Sequence, residues 1–318
     1  MKRVYDRRTQ VKIAHWYYEQ GLTQDQIAKR LLCSRQRINK IVNTLVEDGV
    51  VSININTFGE NWIGLENAIE SHFALKQVIL ADKSSTQMPL PALLGKKAAE
   101  FLDGFIQDGK VIGVSWGFTL GDTIFNMRAV NKCNCMVVQM VGGLNIEQRM
   151  IRPDEIARML AGKLQCDYQL LYAPAVLNNE AARSIFVNDE SLRQMLERMS
   201  RCDIAVVGIG ELNEEATSYN QGYIDRNRLR ALREEGYIGD ICLNPFKING
   251  EWEDYRGRSS IIGASIATLQ KIPNVVAIAG GPQKVNAILG ALRLGCIDVL
   301  VTDSDTALDY DAFLRGYG

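Results

Sequence analysis

Apolar and polar positions along this chain follow two rhythms. Between residues 9 and 50 the apolar positions recur at helical spacing, and from residue 77 onward short Val/Ile/Ala runs alternate with helical stretches. The runs predict strands at 77–81, 111–114, 136–141, 168–171, 204–208, 240–243, 275–278 and 299–302. Helices are predicted between them, notably over 92–106, 153–164, 189–199, 225–235 and 282–294. Strands that are apolar throughout, separated by helices, predict a largely parallel sheet covered on both faces, a doubly wound α/β domain. Residues 50–57 alternate and read as a short strand or an extended connector, 59–64 as a loop, and 65–75 as an amphipathic helix with Leu65, Ile69 and Phe73 on one side. A boundary near residues 56–60 divides the chain into a head, 1–56, and a larger domain, 57–318.

The head carries a specific pattern. Thr23 and Gln26 form a Thr-x-x-Gln capping box, which satisfies amide donors at a helix start. Ile27, Ala28, Leu31 and Leu32 then share one face, the chain turns at Leu32-Cys33, and Ser34 is a good N-cap for a second helix. Ile38, Ile41, Val42 and Leu45 make the buried stripe of that helix. Arg35, Gln36, Asn39 and Lys40 then point away from the core, with Arg37 nearer its boundary and Gly49 as a C-terminal stop. An earlier helix over 9–20 completes a three-helix unit through Val11, Ile13, Ala14, Trp16 and Tyr17. This is a helix-turn-helix whose second helix presents side chains suited to base edges and phosphates: Ser34, Arg35, Gln36 and Asn39 for bases, and Lys40 with the amino-terminal arginines for phosphates. The bland alternative is a solvated helical hairpin.

Charge sharpens that choice. Residues 1–56 hold ten basic and five acidic side chains, +5, while the remaining 26 basic and 32 acidic ones leave −6, so a chain net charge of −1 hides a polarised molecule. A basic end is what a phosphate backbone attracts. At 47% hydrophobic and 23% charged the composition is that of a globular protein. No apolar run reaches transmembrane length and MKRVYDRRTQ lacks a signal-peptide core, so a cytoplasmic address is expected. The seven cysteines are scattered, and Cys133-x-Cys135 has no nearby His or second pair; reduced thiols are expected and neither a metal nor a cofactor.

Ligands of doubly wound sheets bind beyond the carboxyl ends of the strands. Four strand-end loops are candidates. Gly113-Val-Ser115-Trp-Gly117-Phe-Thr119 follows a strand and opens a helix, where backbone approach, hydroxyls and helix-start amides suit an anion or a set of hydroxyls. It has neither the lysine of a Walker loop nor a dinucleotide fingerprint. Gln139-Met-Val-Gly142-Gly143 and Val207-Gly208-Ile-Gly210 are weaker, since glycine after a strand is routine punctuation. In Gly280-Gly281-Pro-Gln-Lys284 the lysine could hold a phosphate or hydroxyl, or be a solvated surface residue. Asp303 could accept sugar hydroxyls or cap the next helix, and Asp240 with 244–250 could form a flap with Trp252 or a hairpin at the sheet edge.

Taken together, LTQDQIAKRLLCSRQRINKIVNTLVEDGVV, GVSWGFTL, VQMVGG, VGIG, GDICLNPFKINGE and AGGPQKVNAILGALRLGCIDVLVTD resemble the SorC family of bacterial sugar-responsive transcriptional regulators over essentially the whole chain. The look is closest to the sorbitol and sorbose operon regulators. The resemblance implies an effector domain similar to sugar-phosphate isomerases and deaminases, binding a sugar or sugar phosphate as a signal, and assembly as a tetramer on a roughly palindromic operator. Carried over by motif, the implied effector residues are Gly113, Ser115, Gly117, Thr119, Gln139, Gly142, Asp240, Gly280, Gly281, Lys284 and Asp303. The rival reading is an isomerase or deaminase with an added head. Such proton transfers often use histidine, and this chain has only His15 and His72, neither of them beyond residue 76.

Overall fold

The computed structural model of the protein describes residues 6–53, 62–84, 86–143, 152–177, 179–252 and 261–316. Residues 54–57 of the expected connector and 59–61 of the expected loop fall outside them. The chain divides into two compact units, Met1–Asn61 and Trp62–Gly318.

In the first unit, helix α1 (Arg7–Ala14) is capped by the Asp6 carboxylate, which accepts from Thr9 N at 2.8 Å. It runs on into a π-helical turn, His15–Glu19, so the helix expected over 9–20 is α-helical only in its first half. Helix α2 (Gln24–Arg30) opens on the capping box: Gln26 N donates to Thr23 Oγ1 at 3.3 Å and Thr23 N to Gln26 Oε1 at 2.9 Å. The turn passes through Leu32 at φ +50°, and α3 (Arg35–Thr44) starts at the Ser34 N-cap. Ile13, Ala14, Ile27, Ala28, Ile38, Ile41, Val42 and Leu45 form its core. Gly49 does not stop α3, which closes at Thr44; it ends the run of turns that follows.

The second unit opens with α4 (Ile63–Phe73), β1 (Gln77–Ala81), α5 (Leu90–Phe105), β2 (Val111–Val114), α6 (Phe118–Asn126), β3 (Met136–Gln139), α7 (Pro153–Leu164) and β4 (Asp167–Gln169). It continues with α8 (Glu180–Val187), α9 (Glu190–Met199), β5 (Ile204–Gly208), β6 (Gly210–Glu211), α10 (Thr217–Asn220), α11 (Arg226–Glu234), β7 (Tyr237–Ile241) and β8 (Asn244–Lys247). It closes with α12 (Ile266–Leu269), β9 (Val275–Ile278), a 3-10 turn at Pro282–Lys284, α13 (Val285–Arg293), β10 (Val299–Asp303) and α14 (Ser304–Gly316). Seven strands pair in parallel in the order β1-β10-β9-β5-β2-β3-β4, and β6-β7-β8 form a separate antiparallel sheet.

Alternation along the strands builds the two cores. Ile79, Ile112, Val114, Val206, Val276 and Val301 point to one face and are buried under α5, α6 and α7. Val78, Leu80, Val138, Val207, Ala277 and Leu300 point to the other, where Ile69, Met199, Ile288 and Tyr310 from flanking helices join them. The strand expected at 240–243 belongs instead to the small sheet. Its residues lie in the β7–β8 hairpin, which packs Ile241 and Phe246 into the second core. Asp189 and Asp225 sit one residue before their helices as N-caps, their carboxylates accepting from Leu192 N (3.1 Å) and Arg228 N (2.8 Å).

One edge of the parallel sheet is closed by the chain itself. Strand β1 is terminal, and its outward Val78 and Leu80 amides donate to Glu70 Oε1 (2.7 Å) and Glu66 Oε1 (2.9 Å) of α4. A buried amide without an acceptor costs about 1–3 kcal/mol. Glu70→Ala should therefore lower stability by about that much, and Glu70→Gln, which keeps the acceptor oxygen, by much less. Urea midpoints at unchanged m-value check the pair.

Candidate functional site

Strand β2 lies inside the sheet with β3 and then β4 on one flank and β5 on the other. The chain steps outward from β2 to β4 and then returns to the opposite flank, so the loops leaving β2 and β5 diverge. Doubly wound sheets place their ligands at such a reversal. A cleft of about 280 Å³ opens there. It is lined by residues 115–120, 208–211 and 215–218, with Pro91, Asp240, Cys242, Ile278, Gln283 and Lys284.

The first wall is the start of α6. Gly117 serves as its N-cap at φ +125°, a region closed to most side chains, and supplies no capping group. Helix starts leave their first amides without internal acceptors, which makes them donors for a ligand. Ser115 is buried beside them, its N–H donating to Val206 O at 3.0 Å and its Oγ accepting from Cys242 Sγ at 3.5 Å. Thr119 is half-buried in the first turn. Trp116 packs edge-on against Tyr223, centroids 5.9 Å apart.

The second wall is the small antiparallel sheet. Asp240 pairs with Gly210 across the β6–β7 ladder, is 6% exposed, and accepts from Leu243 N at 3.0 Å. Cys242 and Leu243 form the two-residue turn between β7 and β8, at φ +51° and +66°. Such turns favour Asn-Gly; two larger side chains held there store strain of the order of 1–3 kcal/mol each. Lys284 Nζ donates to Ile209 O at 2.9 Å. Burial lowers the lysine's pKa, opposed by the Glu211 and Asp240 carboxylates. Burial pushes Asp240 up to about 6, opposed by the Leu243 N–H and by Lys284. Burial also raises Glu211, opposed first by Lys284 and then by a hydrogen bond from Asn213. The cleft is thus a poorly hydrated set of acids, one lysine and helix-start amides, able to grip hydroxyls from several directions.

Of the expected effector residues, Ser115, Gly117, Thr119, Asp240 and Lys284 line this cleft. The other six lie outside it, and packing accounts for each. A Cβ on Gly113 would strike the Met140 side chain, and one on Gly142 would lie 2.7 Å from Ala173 O. Gln139 is buried, its Nε2 donating to Val141 O at 2.6 Å and its Oε1 accepting from Leu171 N at 3.2 Å. Asp303 accepts from Thr306 N (3.0 Å), Thr306 Oγ1 (2.6 Å) and Gly281 N (2.9 Å). It is the cap of α14 and the clamp on the Gly280-Gly281 loop, where Gly280 leaves no room for a Cβ. That clamp sets the course of the chain into the 3-10 turn carrying Lys284, which is a cleft residue and no solvated surface lysine. The region 240–252 is a hairpin against the core, and Trp252 packs there rather than over the cleft.

Trp116, Glu211, Thr217, Ser218 and Gln283 line the cleft without having been singled out in the sequence. In the head, Arg35, Gln36, Arg37, Asn39 and Lys40 are exposed, Arg37 included. Ser34 is exposed but engaged as N-cap, its Oγ accepting from Arg37 N at 3.3 Å. Asn39 Oδ1 accepts from Asn43 Nδ2 at 2.8 Å, which adds Asn43 to that face. Among the described residues no helix is long and apolar enough to cross a membrane, and no group of three or more His, Cys, Asp or Glu could hold a metal ion.

Asp240 carries a stability cost that can be measured. Its folded pKa of about 6 lies above the ordinary 3.8, so ionisation opposes folding. The cost is absent below pH 3.8, grows between 3.8 and 6, and is complete above 6, at roughly 3 kcal/mol. Without ligand, Asp240→Asn should be more stable than the parent at pH 7.5 by about 1–3 kcal/mol and nearly equal to it at pH 4. Urea denaturation at the two pH values checks this.

Residues 59–309 match the family described as a sugar-binding domain, Sugar-bind. The chain is 28% identical over 300 residues to the transcriptional regulator LsrR of Enterobacter sp. (strain 638), spanning 93% of this chain and 90% of the relative. It is 28% identical over 307 residues to the sorbitol operon regulator of Klebsiella pneumoniae, spanning 95% and 97%. The crystal structure of the full-length sorbitol operon regulator SorC from Klebsiella pneumoniae matches with a TM-score of 0.72 at 27% identity, covering 96% of this chain and 98% of that one. With that domain behind a helix-turn-helix head, the chain belongs to the sugar-binding domain family and is a transcriptional regulator of the SorC type.

Proposed function

We propose that this regulator reads a roughly palindromic operator through the exposed side of α3 and is switched by a sugar or sugar phosphate held in the β2–β5 cleft. The observation that carries the reading is the convergence of Ser115, Gly117, Thr119, Asp240 and Lys284 on one cleft at the sheet's reversal point. Lys284 and the α6 start are donors suited to a phosphate or to hydroxyl oxygens, and Asp240 and Glu211 are acceptors for hydroxyl protons. Relatives named as regulators of sorbitol and erythritol metabolism support a carbohydrate signal. The six expected residues outside the cleft are retained as its supporting frame: Asp303 and Gly281 set the lysine turn, and Gly113, Gln139 and Gly142 hold the β2–β3 side of the sheet end.

In the head, Arg35, Gln36 and Asn39 contact base edges, Ser34 opens the reading helix, and Arg37 and Lys40 meet phosphates. Two heads on a twofold operator require an oligomer, a tetramer by family resemblance. The protein acts as a sensor without turnover: no histidine lines the cleft among the described residues, and Asp240 and Lys284 are each tied by a hydrogen bond to neighbouring backbone. Its place is the cytoplasm, where operator and metabolite meet.

A thermal-shift screen of sugars and their phosphates tests the cleft. The cognate ligand raises the melting temperature by mass action and weakens or strengthens operator binding, while Lys284→Met abolishes both effects with folding intact. Retained ligand response in that variant, or steady product formation from the ligand, overturns the reading. For the head, Arg35→Ala and Gln36→Ala should each cost about 1–3 kcal/mol of operator binding and relax base preference. Lys40→Ala should weaken all sequences alike and reduce the salt slope by about one.

A further inference from the structure

The turn between α2 and α3 brings two helix starts together. Asp25 is the second residue of α2 and Arg35 the first of α3. Across the turn Arg35 Nε stands 3.9 Å from Asp25 Oδ1. Lys29 lies one turn further along α2, where an acid on a helix surface finds its ordinary partner. Among the described residues the ion pair formed is the one to the reading helix instead, and Arg35 has no second partner.

Stability does not account for this pair. The two side chains are 61% and 67% exposed, and an ion pair so placed contributes little in water. The head has its own core, and its helix starts are capped by Thr23 and Ser34. On a surface that approaches phosphates an acid also has a cost, because it repels them. Asp6 caps α1, Glu19 pairs with His15 and Asp48 accepts from Gln10, so among these acids Asp25 is the one tied to a side chain of α3.

The geometry of the guanidinium supplies the return. Its Nε–H points to one side of a planar fork, and the two Nη groups lie at the end. An acceptor held at Nε leaves that end free and restricts its swing. A guanine edge asks for the end, as two parallel N–H donors toward O6 and N7. Entry into a groove also removes water from the pair, so the attraction grows where the orientation is needed. Asp25 and Arg35 line one open hollow of about 540 Å³ with Ser34 and Lys29, on the surface of the head and apart from its core.

We propose that Asp25 is a positioning residue for base readout: it holds Arg35 by Nε and so presents the Nη pair to a guanine. This rests on the reading of α3 as the helix that enters the major groove. It goes beyond that reading because it gives an acid, which opposes DNA binding by its charge, a part in choosing the sequence bound.

The test uses the full-length protein and duplexes that it selects from a random pool. Affinities are measured for a selected duplex, for its single-base variants and for an unrelated duplex. Arg35→Ala first marks the guanine at which discrimination depends on that side chain. Asp25→Ala should then bind the unrelated duplex about two- to threefold tighter, having lost a repelling charge. It should at the same time lose roughly three- to tenfold of the discrimination at the marked guanine. Asp25→Asn removes the charge but keeps an oxygen acceptor for Nε, so it should gain the same affinity for the unrelated duplex and keep most of the discrimination. In the Arg35→Ala background, Asp25→Ala should leave discrimination where Arg35→Ala alone put it. A charge that merely suits the start of α2 would give none of these base-specific changes, and melting profiles should match the parent throughout. Full discrimination in Asp25→Ala, or a further loss in the double variant, overturns the proposal while leaving α3 as the reading helix. Unaltered base preference in Arg35→Ala itself removes the reading on which the proposal rests.

Discussion

Parallel strands all finish at the same edge of a sheet, and only at one place in this sheet do their onward connections part company. From β2 the chain leaves toward β3 and β4; from β5 it turns into the small sheet before reaching β9 and β10 on the other flank. The connections leaving these two neighbouring strands run in opposite directions and leave a gap between them at the strand ends. The cleft is therefore a product of topology before it is a product of side chains. What the sequence adds is the identity of the two walls: a glycine-capped helix start from β2, and an antiparallel hairpin folded over from β5.

Those walls place charges where hydration is poor. An isolated buried lysine would shed its proton, and an isolated buried aspartate would gain one. Asp240 and Glu211 beside Lys284 reduce that penalty without cancelling it, since burial remains the leading influence on all three groups. Groups so placed retain hydrogen-bonding capacity that the protein itself does not exhaust. A polyhydroxy ligand is suited to such a site because each hydroxyl both donates and accepts. The strained Cys242-Leu243 turn bears on the same group, since its Leu243 amide donates to Asp240.

The head and the parallel sheet were legible in the sequence because both rest on periodicity and capping, which are local. Thr23, Gln26 and Ser34 act as their positions predict, and the Val/Ile runs became strands with small shifts at their ends. Pairing is not local, and that is where reading failed. Residues 240–243 carry the apolar look of a parallel strand but bond to β6 and β8, because a hairpin buried against a core has the same composition. Gln139 and Gly142 sit at a strand end as a ligand residue would, yet their neighbours Leu171 and Ala173 come from a connection that only the fold brings near. Glu211 was missed for the opposite reason. Its strand is two residues long, too short for any pattern, and its importance arises only from facing Lys284.

The elements bearing Asp240 and Lys284 also form one packed body. Helix α13 starts immediately after Lys284 and lies against the hairpin that carries Asp240: a Cβ on Gly290 would stand 2.8 Å from Lys247 O and 3.1 Å from the Phe246 ring. Phe246 and Ile288 are both fully buried in the same core. Interiors packed this tightly move as units. A ligand that engages the acid and the lysine together thus bears on the hairpin and α13 as a single piece, while its contacts to α6 bear on the opposite side of the sheet. A ligand can shift the balance between two arrangements only by its difference in affinity for them. The separation between α6 and the hairpin–α13 body is a geometric variable on which that difference can depend: Leu120 and Ile124 of α6 are buried in one core and Phe246 and Ile288 in the other, with Trp116 packed against both and the Cys242–Ser115 hydrogen bond joining the two walls directly.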